Sequence, residues 1–165
     1  MIFVTVGTNE TPFDRLLHAV EALGGSEELV VQHGPSPIRP LGATCVDYLT
    51  FDELSDHMRR ARLVVTHAGV GSILAALANG ARPLVAARLR RYGEAVDDHQ
   101  LTFGRRVHAE GFVQLVEDLG ALSEAAARHE RRFDGAVRLE GRLVHELRDF
   151  VRAQTEGGSK GPPSS

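Results

Sequence analysis

The stretch Leu63-Val-Val-Thr-His-Ala-Gly-Val-Gly-Ser-Ile73 constrains the fold more than any other. Its uninterrupted apolar start suits a strand buried on both faces, as strands of parallel sheets are. Glycines then break the run. Residues 72–79 carry helix formers, and Gly80 ends them. Strand, glycine turn and helix in that order make half of a βαβ unit.

The same alternation runs through the chain. Residues 2–6 read as a buried strand ending at Gly7-Thr8-Asn9. A helix follows, with Thr11 as its N-cap and Pro12 in the tolerated first position. Phe13, Leu16, Leu17, Val20 and Leu23 recur at helical spacing up to Gly24-Gly25. Residues 29–32 are a second strand, and the three prolines between 33 and 40 preclude a regular helix there. A third strand is predicted over 44–48, and a short helix from Phe51 to about residue 60 with Asp52 as N-cap. Ala75, Ala76 and Ala78 give the helix after the central strand a slim face. Strands follow at 83–87 and 112–116, separated by a charged loop over 88–96 and a helix capped by Asp97 or Asp98. Helical patterns at 119–132, with a break near Gly120, and again after Gly135 complete the chain.

This pattern predicts an α/β fold: an open, largely parallel, Rossmann-like sheet covered on both faces. Residues 1–153 form one domain, and the Gly-, Ser- and Pro-rich residues 154–165 have almost nothing to bury and are expected to be disordered. In such sheets ligands sit beyond the carboxyl ends of the strands. The turns at Gly7, Phe51, Gly69 and Arg88 all fall on that edge.

Composition excludes some functions. With 19 Lys+Arg against 22 Asp+Glu, the net charge of −3 offers no electrostatic capture of nucleic acid. The single cysteine, Cys45, forbids an internal disulfide and suits a buried apolar role. The start has neither the basic segment nor the apolar run of a signal peptide, and no stretch is long enough to cross a bilayer. The chain is expected to be soluble, or held at a membrane by something else.

Gly69, Val70 and Gly71 lead the candidate residues. Glycine permits a sharp turn and close approach of a ligand, and a helix start presents free N–H groups and partial positive charge. Ser72 can cap that helix or donate to a phosphate oxygen. A tight turn with no ligand fits the same pattern. The motif is neither a P-loop nor a full dinucleotide fingerprint. Gly7, Thr8 and Asn9 repeat the logic at the first strand. His67 can bond a phosphate or be a satisfied core residue. Asp98, His99 and Gln100 open the later helix; their spacing supplies no convincing metal set. The Gln100 amide can donate to and accept from vicinal sugar hydroxyls. Glu94 can bind a hydroxyl, pair with Arg91 or face solvent. Arg88, Arg90 and Arg91 can neutralise a pyrophosphate or form a solvated loop. No nucleophile elbow or catalytic triad is legible.

Together the motifs TVGTxxxxFDRLL, DELSDHMRRARLVVTHAGVGSILAAL and PLVAARLRRYGEAVDDHQLTFGRRV resemble the glycosyltransferase family 28 C-terminal domain. They are closest to its free-standing form, in bacterial exopolysaccharide glycosyltransferase subunits and Alg13-like proteins. The resemblance covers about residues 1–150. It implies the nucleotide-binding half of a GT-B glycosyltransferase, with a UDP-sugar as donor substrate, inverting transfer and no firmly implied cofactor. It also implies a membrane-associated partner subunit that binds a lipid-linked or polysaccharide acceptor and supplies the general base, with the complex at the inner face of the membrane.

By motif, Gly7, Thr8, Gly69, Val70, Gly71 and Ser72 would face the diphosphate. Phe51 would lie near the uracil, and Glu94, Asp98, His99 and Gln100 near the donor sugar, Gln100 as its principal contact. Relatives commonly carry a Glu where this chain has Ala75, holding the ribose hydroxyls; either another group, with Glu94 the candidate, takes that role here or ribose recognition is looser. Two other functions fit the pattern: a non-enzymatic nucleotide-sugar-binding or regulatory module, and a self-sufficient small-molecule enzyme on a flavodoxin-like sheet.

Overall fold

The computed structural model describes residues 1–25, 27–129 and 145. Six strands form one sheet: β1 (Ile2–Thr5), β2 (Leu29–Gln32), β3 (Thr44–Val46), β4 (Leu63–His67), β5 (Leu84–Ala86) and β6 (Gln114–Leu115). Their order is β3-β2-β1-β4-β5-β6, and every neighbouring pair is parallel. This is the doubly wound Rossmann order. The expected Rossmann-like sheet is therefore present, and the alternative flavodoxin-like sheet, which would run 2-1-3-4-5, is not.

Among the described residues the α-helices are α1 (Asp14–Glu21), α2 (Phe51–Arg60), α3 (Val70–Ala78), α4 (His99–Ala109) and α5 (Leu122–Ala127). Alternation along β1 divides the core. Ile2, Val4 and Val6 pack with Leu16, Leu17 and Val20 of α1 and with Leu122 and Ala126 of α5. Phe3 and Val64 belong to a second cluster with Met58 of α2 and Ala75 and Ala76 of α3. Each large side chain buried in these layers contributes about 1.5–3 kcal/mol, which is why the apolar runs can only be central strands.

Several local expectations are corrected. Helix α1 begins at Asp14 with Phe13, not Thr11, at the N-cap and no side-chain cap. Helix α2 is capped by Thr50 rather than Asp52. Thr50 Oγ1 accepts from the Glu53 amide at 3.3 Å, and the Glu53 carboxylate accepts from the Thr50 amide at 2.8 Å, a reciprocal capping box. Ala78 is exposed, so the slim face of α3 is built by Ala75 and Ala76. Cys45 is only partly buried. The break near Gly120 is a 3-10 turn over Leu119–Ala121 preceding α5. The helical segment expected after Gly135 and the tail from residue 154 lie outside the described residues. Among the described residues no helix is long and apolar enough to cross a membrane.

The order reverses between β1 and β4, the place where doubly wound sheets open a crevice at their carboxyl edge. The loop after β1 and the turn into α3 flank that crevice.

Candidate functional site

The crevice is a cleft of about 520 Å³. Its floor and walls come from Thr5, Gly7, Thr8, Asn9 and Gln32, from Leu49, Phe51 and Leu54, and from His67, Gly71, Ser72 and Ala75. None of these carries a formal charge at neutral pH. The polar end lies at the two glycine turns. Leu49, Leu54 and Ala75 add apolar wall, beside the exposed ring of Phe51.

The β1 loop is fixed by side chains at the ends of β1 and β2. Thr5 and Gln32 are register neighbours, and their side chains hydrogen-bond. Thr5 Oγ1 accepts from the Gly7 amide at 3.1 Å, while Gln32 Nε2 donates to the Gly7 carbonyl at 3.1 Å and to the Asp47 carbonyl at 2.9 Å. Gly7 takes φ +78°, a conformation that disfavours a side chain. From behind, the buried Arg88 guanidinium donates to the Val6 carbonyl at 3.0 Å, the Thr11 carbonyl at 2.8 Å and the Pro12 carbonyl at 3.1 Å. It also lies 4.8 Å from the Phe13 ring centroid. The loop is therefore wrapped around a buried cation.

His67 stands between the two glycine turns. A Cβ on Gly7 would sit 2.3 Å from its Nε2, and one on Gly69 would sit 2.1 Å from its Cε1. Both glycines are thus explained by the imidazole packed against them. Gly71 is different. It lies in the first turn of α3, its φ is not positive, and a Cβ there would meet nothing within 4 Å. The protein itself gives no reason for glycine at 71; the space beside it is the cleft.

The first N–H groups of a helix have no intrahelical acceptor, and Gly69 at the N-cap of α3 has no side chain to satisfy them. Burial, then the positive charge of Arg88, pushes the His67 pKa down to about 4. The ring is neutral at physiological pH. The anion-attracting elements are the α3 terminus and, behind the loop, Arg88.

The glycosyltransferase family 28 C-terminal domain model matches residues 1–131. The chain belongs to this family. Relatives include the UDP-N-acetylglucosamine transferase subunit ALG13 of Homo sapiens, 34% identical over 123 residues, covering 67% of this chain and 10% of that protein. The Mus musculus protein of the same name is 35% identical over 122 residues, covering 66% and 10%. The chain therefore spans about a tenth of the length of these curated relatives. Among solved structures, the crystal structure of the glycotransferase of kitacinnamycin superposes with TM-score 0.55 over 92% of this chain and 39% of its own, at 18% identity. That likeness concerns the fold, a Rossmann-like GT-B half.

In this family 28 domain the cleft gathers Gly7, Thr8, Asn9, Phe51, His67, Gly71 and Ser72, with Gly69 and Val70 at the turn beside them. The other candidates stand behind or beside it. Arg88 is fully buried and engaged with carbonyls, so it reaches an anion only through its field. Glu94 is buried too: it receives both Arg15 Nε and Nη2 at 2.9 Å and the Leu89 amide at 3.0 Å. It therefore does not replace a ribose-binding carboxylate at Ala75, and its partner is Arg15 rather than Arg91. Asp98 accepts from the Arg90 amide at 2.9 Å and lines a separate depression with Leu101 and Arg105. His99 donates its amide to Asp97 at 3.0 Å, and that bond, with the imidazole beside it, holds the Asp97 carboxyl below the usual range. Gln100 does not line the cleft; its amide bridges Arg88 and His67. Among the described residues no three His, Cys, Asp or Glu side chains are grouped to hold a metal.

Thr5 and Gln32 also line the cleft, and Arg15 holds Glu94, beyond the residues the motifs single out. The first two carried a signal: a polar residue closing an otherwise apolar strand, at the edge where ligands bind. The Arg15–Glu94 pair spans 79 positions and had none.

Proposed function

We propose that this chain is the donor-binding subunit of an inverting glycosyltransferase. It takes a sugar from a nucleotide-sugar, a UDP-sugar, and delivers it to a lipid-linked or polysaccharide acceptor held by a membrane-associated partner subunit. The observation that carries this is Gly71, a cleft-lining glycine in a helix start beside which the space is open. A phosphate fits that space, facing the α3 N–H groups and the Ser72 hydroxyl. The relatives named as UDP-N-acetylglucosamine transferase subunits support UDP as the nucleotide. The apolar wall of Leu49, Leu54 and Ala75, beside Phe51, suits the nucleoside end.

In transfer, the acceptor hydroxyl oxygen bonds to the anomeric carbon as the bond to the diphosphate oxygen breaks on the opposite side. Negative charge grows on the departing diphosphate. The α3 terminus and Ser72 stabilise it, with Arg88 acting from behind the β1 loop. The acceptor proton needs a base. The cleft lining contains no carboxylate, and both ring nitrogens of His67 are engaged. The base therefore comes from the partner, as does the second wall of the cleft.

Sugar transfer is to be assayed with the chain alone and with the membrane-associated subunit, using UDP-sugars and a lipid-linked acceptor. Transfer should require both proteins. Full activity of the isolated chain would overturn the split arrangement, and tight UDP binding without transfer in any complex would favour a regulatory module.

A further inference from the structure

The hydrogen bonds around His67 have a forced direction. The Arg88 backbone amide, which can only donate, lies 3.1 Å from Gln100 Oε1. That fixes which end of the carboxamide is oxygen, so Gln100 Nε2 is the atom 3.3 Å from His67 Nδ1. An amide nitrogen only donates, so Nδ1 must accept and carries no proton. The neutral ring then holds its proton on Nε2, which lies 2.9 Å from Ser72 Oγ. Ser72 accepts there, and its own hydrogen remains to be donated. Ser72 lines the cleft.

We propose that Gln100 is a positioning residue: anchored by the Arg88 amide, it sets His67 as the Nε2–H tautomer and so presents the Ser72 hydroxyl to the cleft as a hydrogen-bond donor. The site thereby prefers ligand oxygens that only accept, such as non-esterified phosphoryl oxygens, over hydroxyls that must donate. This deepens the donor-binding reading and rests on it for the ligand. The groups packed on the ring are Gly7 from the β1 loop, Gly69 and Ser72 from the start of α3, and Gln100 from α4; Arg88, at the end of β5, is the charge acting on it. Gln100 acts from outside the cleft, through two intermediaries.

Two measurements test the assignment. In the full chain with 15N-labelled histidine, long-range proton–nitrogen correlations at neutral pH should show His67 with a bare Nδ1 and a protonated Nε2. Gln100→Glu places an acceptor at Nδ1 and should move the proton there, raising the pH at which the ring titrates. A wild-type ring protonated on Nδ1, or on both nitrogens, overturns the proposal.

The second is a mutant cycle on UDP affinity by calorimetry. Ser72→Ala and Gln100→Met should each weaken binding about tenfold, the worth of one hydrogen bond to a charged oxygen. Because both act through one hydroxyl, the double variant should be no weaker than either single one. Multiplying losses would mean that Gln100 acts independently of Ser72, and would refute the proposal. A wild-type chain with the expected tautomer that fails to bind UDP would instead sink the donor-binding reading, leaving the hydrogen-bond assignment intact.

Discussion

Replacing Gly71 by alanine should stabilise the protein and weaken its ligand binding. The residue is the second of α3, and an added Cβ meets no atom within 4 Å. Its backbone is helical, so alanine brings no strain. Glycine in a helix costs about 0.5–1 kcal/mol relative to alanine, with the smaller value suited to a first turn. For a domain of this size that is a rise in Tm of about 1–4 °C. The same methyl group projects into the cleft and keeps a phosphate from the α3 N–H groups. Losing one charge-assisted contact costs about 1.5–3 kcal/mol, a tenfold to hundredfold rise in Kd for UDP. Differential scanning calorimetry reads the first effect and isothermal titration the second. Unchanged UDP affinity would show that the space beside Gly71 is not where the phosphate sits. A fall in Tm would show that the residue has a structural role that the open space denies.

Gly7→Ala should do the opposite to stability: with φ +78° and a Cβ 2.3 Å from His67 Nε2, it should cost about 2–4 kcal/mol by chemical denaturation. The pH dependence has a definite sign. His67 has its folded pKa near 4, below its ordinary 6.5, so the unfolded chain binds more protons between these values. Stability should therefore fall as pH drops from about 6.5 towards 4, by about 2–3 kcal/mol for this partly buried ring. His67→Gln should flatten that part of the stability profile, and a profile unchanged by the substitution would contradict the burial argument. Arg15→Met leaves the Glu94 carboxylate buried without its bidentate partner, and should cost about 2–4 kcal/mol at neutral pH in urea denaturation.

The parallel sheet was legible because its strands are almost uniformly apolar and each ends at a glycine or at a charged loop. Strand order was not: the periodicity of residues 29–32 and 63–67 is the same whichever side of β1 they join. The cleft could be read in outline from Gly7-Thr8-Asn9 and the turn at 67–72, since both close central strands at the carboxyl edge. The roles of Arg88 and Glu94 could not. A charged residue in a loop reads as solvent-facing, and only tertiary contacts with Val6, Thr11, Pro12 and Arg15 bury them. Caps failed for a similar reason. Thr11 and Asp52 are plausible N-caps by type, but Phe13 is drawn into the core, delaying α1, and Thr50 finds Glu53 at the spacing a capping box needs. The chemistry of Gln100 suits a sugar contact, and no sequence signal shows that its amide engages the Arg88 backbone and His67 inside the protein.

On the donor-binding proposal, a nucleoside diphosphate lies across the gap between β1 and β4. Titrating UDP into uniformly 15N-labelled protein while following backbone amides tests it most directly. Saturable shifts are expected at Gly7, Thr8, Gly71 and Ser72, with weaker ones at Leu49 and Phe51, and none at the depression formed by Arg15, Tyr92 and Gly93. Shifts centred on that depression, or no saturable shift at Gly71 and Ser72, would contradict it.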